Sequence, residues 1–139
     1  MRSAYGAVFA RSLVCILGAG LFGAVYYLMT RPMAVRAALP SQAIVAMHES
    51  YQDAAPLADF EHCVSTDISA RDSQAFVDGM KLIPYRGTKP FPSCATGWWT
   101  ASGDASGAFY SPGNEEATLA MAKRENGRLY YVAGNTQPR

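Results

Sequence analysis

Asn126-Gly127 constrains this chain more tightly than any other pair of neighbours in it. Both residues tolerate the positive φ angles of a type I′ turn, the two-residue connection whose twist matches antiparallel strands. Set between Ala117–Arg124 and Arg128–Ala133, the pair predicts a β-hairpin. A two-residue loop also fixes the register, placing Arg124 opposite Leu129, Ala122 opposite Tyr131 and Ala120 opposite Ala133. Leu119, Met121, Tyr130 and Val132 then share one face. Ala120, Ala122, Leu129, Tyr131 and Ala133 share the other. Both faces are apolar, whereas a hairpin with one wet face alternates apolar with polar. Something must pack closely on the alanine face. The expected cover is a helix of the same domain over 41–55, with another protein as the alternative.

Upstream, the signals change from period two to period 3.6. Pro32 and Pro40 bracket a linker over 31–40, and Ser41 is placed to cap a helix running to Ala55, with Ile44, His48, Tyr51 and Ala55 on one face. Residues 62–65 read as extended. Ser69 with Asp72 marks a second helix start, followed by Phe76, Met80 and Ile83 until Pro84. From Ser93 onward the pattern is short strands between glycine-rich turns, including Cys94–Thr100 and Ala108–Ser111. Adjacent strand residues point to opposite faces, so only one of Trp98 and Trp99 is expected to enter a given core.

The first thirty residues differ from the rest. Ser12–Thr30 is a run of 19 residues without a charge. As a helix it would rise about 28 Å, close to the roughly 30 Å of a bilayer's hydrocarbon core. Tyr26 and Tyr27 fall near one end, and Arg31-Pro32 closes the run. A cleaved signal peptide would be shorter and would end in a small-x-small site, whereas Arg31-Pro32-Met33-Ala34 is a poor one. The expectation is an uncleaved signal anchor over 12–30 with a cytoplasmic tail over 1–11. Within it Cys15, Ala19 and Gly23 recur every four residues, a small-residue stripe suited to contact with another membrane helix.

Charge follows the same division. All eleven acidic residues lie at or after Glu49, and the part beyond residue 39 carries eight basic against eleven acidic side chains. The net charge of +1 offers no general basic field for nucleic acid. Beyond the apolar run stand only Cys63 and Cys94, an even pair without CxxC spacing. That count suits one structural disulfide in an oxidising compartment.

Candidate chemistry is sparse. His48 and His62 are the only histidines, and no HExxH, P-loop, GxGxxG or GxSxG motif is present. His62 beside Cys63 would suit a nucleophile pair only if that cysteine were free. His48, Glu49 and His62 with an aspartate form a metal set without supporting spacing. No cofactor, metal or catalytic residue is therefore expected. Lys123, Arg124 and Arg128 at the hairpin tip read as gatekeeping surface charges.

The sequence thus leads to an α+β fold. A single N-terminal transmembrane helix precedes a small disulfide-linked domain over 41–139, with an antiparallel sheet of about four strands and one or two helices. The expected role is a non-catalytic single-pass subunit or accessory protein of a cell-envelope complex, seated in the plasma membrane with its C-terminal domain periplasmic. Its partners would be other membrane protein subunits or further copies of itself. They would be met through Cys15, Ala19 and Gly23 in the membrane, and through Trp98, Trp99, Tyr110 and Tyr131 outside it, where aromatic side chains concentrate binding energy. The alternative is a tethered periplasmic inhibitor or immunity-type binding protein.

Overall fold

A computed structural model of the chain describes residues 17–23, 25, 33–55, 59–111 and 119–134. The chain divides into two compact units, Met1–Ala34 and Val35–Arg139. In the first, residues 17–23 are helical and expose Leu17, Leu21 and Phe22. No helix among the described residues is long and apolar enough to cross a membrane. This overturns the expected transmembrane helix over 12–30. The rest of that run, apart from Val25, lies outside the described residues.

The second unit is built on a six-stranded antiparallel sheet where about four strands were expected. Its strands are β1 (His48–Ala55), β2 (Asp59–Asp67), β3 (Ile83–Pro84), β4 (Phe109–Ser111), β5 (Leu119–Glu125) and β6 (Arg128–Gly134). They lie in the order β1-β2-β6-β5-β4-β3. The hairpin has the register that its turn dictates, with Arg124 on Leu129, Ala122 on Tyr131 and Ala120 on Ala133. Asn126 and Gly127 have φ of 51° and 84°, the left-handed conformations of a type I′ turn.

Helices cover the alanine face. A helical turn over 33–38, α1 (Ser41–Val45) and α2 (Ala70–Gly79) supply Val35, Ala43, Phe76 and Val77, and the bend after the first supplies Leu39, to a core with Phe60, Val64, Ala120, Ala122, Leu129, Tyr131 and Ala133. The alanines let α2 come close enough for the Phe76 ring to meet Tyr131 edge-on, with centroids 5.6 Å apart. Ser69 caps α2, its hydroxyl accepting from the Asp72 amide at 3.0 Å. Val35 and Leu39, within the stretch read as a linker, are thus core residues.

The helix expected over 41–55 stops at Val45, and 48–55 is instead the edge strand β1. His48, Tyr51 and Ala55 fit a helical stripe by spacing, but Tyr51 is the one large apolar side chain among them with which to hold it. Pairing with β2, from His48 on Ser65 to Asp53 on Phe60, offers more. The second helix likewise ends at Gly79, four residues before Ile83, which turns to pair with Tyr110.

Candidate functional site

The sheet face opposite the helices is roofed by the long connection between β3 and β4. Residues 94–100, expected as a strand, are irregular, so Trp98 and Trp99 are not forced onto opposite faces. Both are half-buried over the sheet. Trp99 lies parallel to Phe91 at 6.2 Å and edge-on to Tyr130 at 5.2 Å. Trp98 stacks on His48 of β1 at 5.7 Å.

Three attachments hold this roof down. Cys63 of β2 and Cys94 form the disulfide, with Cα atoms 6.4 Å apart. The Thr100 and Tyr130 hydroxyls share a hydrogen bond of 2.7 Å. Lys123, read from sequence as a surface charge, is 4% exposed. Its ammonium donates to the Ser102 and Asp104 carbonyls at 2.8 and 2.9 Å and to the Ser102 hydroxyl at 2.9 Å. It also pairs with Glu125 at 3.1 Å and lies over the Phe91 ring. A buried ammonium with its donors satisfied in this way is a structural tie, since an unpaired one would be costly. The Ser102 amide donates to Glu125 as well, and these hydrogen bonds hold that carboxyl down at about 2.

On the helix side a polar array crosses the apolar core. Tyr51 and Glu49 of β1 stand beside His62 and Val64 of β2. The Glu49 carboxylate meets His62 Nε2 at 2.8 Å through one oxygen and the Arg36 guanidinium through the other. The Tyr51 and Tyr131 rings make T-shaped contacts with His62, their centroids 5.6 and 5.9 Å from its own. Burial pushes the His62 imidazole below its ordinary value, and the neighbouring carboxylate restores only part of that. A neutral imidazole beside a carboxylate carries its proton on Nε2 and donates it to Glu49. Burial alone would raise the Glu49 carboxyl, but hydrogen bonds from Arg36 and His62 outweigh it and leave the group below its ordinary range.

This arrangement separates the candidate chemistry. His62 and Cys63, adjacent on β2, lie on opposite faces of the sheet, and Cys63 is in the disulfide. Of the metal set, Glu49 and His62 come together, while His48 stacks on Trp98 across the sheet. Arg36 was missed because it lies in a stretch read as linker. Phe91 was missed because prolines on both sides masked its packing.

The expected partner-binding residues are scattered. Trp98, Trp99 and Tyr110 are half-buried on the roofed face, and Tyr131 is 5% exposed in the helix-side core. Ala19 and Gly23 are exposed in the first unit, and Cys15 lies outside the described residues. β1 is bonded along one edge to β2 and has no second strand partner among the described residues. The chain matches no protein family, no curated protein and no solved structure.

Proposed function

We propose that this is a non-catalytic, protein-binding accessory domain of an oxidising compartment, engaging its partner through the outer edge of β1 and the adjoining His48–Trp98 stack. The observation that carries the reading is the eight-residue edge strand with a single strand neighbour among the described residues. A strand of this length offers alternate N–H and C=O groups to an extended segment of another chain. Trp98, held half-buried against an exposed His48, supplies an apolar anchor beside that edge. The disulfide supports the compartment. The one buried histidine array is internally satisfied, which favours a supporting role over a reacting one.

A photocrosslinking amino acid placed at exposed Gln52 in the full-length protein, within the native cell envelope, tests this reading. The expected result is a discrete crosslinked protein that Trp98→Ala weakens about tenfold or more without lowering the melting temperature. No crosslink at Gln52, or one indifferent to Trp98→Ala, would overturn it.

A further inference from the structure

We propose that reduction of the Cys63–Cys94 disulfide turns the same place into a three-ligand zinc site, with Glu61 as the third ligand. Glu61 and Cys63 are two residues apart on β2 and so project from the same face of the sheet. Cys94 reaches the same point from the roof. One carboxylate oxygen of Glu61 and the two sulfurs all lie within 4.8 Å of one another.

The donor set, with a small rearrangement, suits zinc. With Zn–S near 2.3 Å and Zn–O near 2.1 Å, a tetrahedral ion sets its ligand atoms about 3.5–3.8 Å apart. Once the S–S bond is cut, the sulfurs have to separate to about this distance while the carboxylate closes in by at most about 1 Å. Glu61 is half-buried, so its carboxylate is not locked into the core. Two thiolates and one carboxylate are the donors of a borderline-soft divalent cation; magnesium and calcium prefer oxygen ligands throughout. Three protein ligands leave the fourth position to water.

The chemistry balances with a dithiol as reductant. Its two thiols become a cyclic disulfide, the S–S bond breaks, and Cys63 and Cys94 each gain a proton and an electron. Zinc then displaces both protons to solvent, leaving two thiolates on the metal. The metal would replace the disulfide as the tie between β2 and the roof.

The test uses the full chain, oxidised or reduced by a dithiol that is then removed without air. It is titrated with zinc and with cobalt(II), which reports thiolate coordination by its absorption. The reduced protein is expected to take up one metal per chain, to show a thiolate–cobalt charge-transfer band and to melt at a higher temperature with zinc than without. The oxidised protein should do none of these. Glu61→Gln should bind zinc about tenfold or more weakly while its oxidised form melts as the wild type does. The proposal is overturned if the reduced chain shows no such band, if zinc fails to raise its melting temperature, or if Glu61→Gln binds as tightly as the wild type. That last result would mean chelation by two thiols alone.

Discussion

Replacing Glu49 by glutamine keeps the side chain's shape but removes the charge that Arg36 and His62 share. We expect Glu49→Gln to cost about 1–3 kcal/mol, read from urea unfolding, because a hydrogen-bonded carboxylate is lost beside a nearly inaccessible imidazole. The same array sets a pH dependence. His62 is harder to protonate folded than unfolded, so stability falls as pH drops below about 6.5, where the unfolded imidazole takes up its proton. Glu49, depressed when folded, adds stability above its unfolded value that is lost as pH falls through its lower folded one. Both act in the same direction. Unfolding free energies at neutral pH and at about pH 5 should therefore differ, and His62→Gln should flatten the difference. A wild-type profile level across that interval would refute the assignment.

Among the elements, the β5–β6 hairpin and α2 can each be tested by one substitution. Gly127 has a φ of 84°, so Gly127→Ala should cost about 1 kcal/mol in thermal or urea unfolding. Phe76 is completely buried against Tyr131, and Phe76→Ala should cost about 3–5 kcal/mol by the same measurement. These were also the legible elements. Asn126-Gly127 and Ser69 with Asp72 act through the backbone within a few residues, so their effect is written locally. β1 was illegible for the opposite reason, because His48–Ala55 becomes a strand through its pairing with β2, whose residues come later in the chain. Trp98 and Trp99 share one side of the sheet only because their segment is irregular, a property that strand periodicity does not describe. The disulfide was legible from the cysteine count once Cys15 was set aside in the apolar run, but Glu61 beside it was not. An isolated glutamate gives no sign of its neighbours until the strand's facing is known.

At the scale of the domain, the sheet is a slab with a different cover on each face: helices on the alanine side, an aromatic roof on the other. The disulfide spans a sequence separation of 31, so cutting it should lower stability by about 3–4 kcal/mol in the absence of metal. Comparing urea midpoints of oxidised and metal-free reduced protein checks this figure. With both faces covered, the rim becomes the place for association, and β1 is its longest exposed candidate among the described strands. Residue-resolved amide hydrogen exchange on the full-length protein tests that claim most directly. Along 48–53 the amides bonded to β2 should be protected and the alternating, outward-pointing ones should exchange rapidly. Uniform protection along this stretch would show that the rim is already covered and would contradict the account.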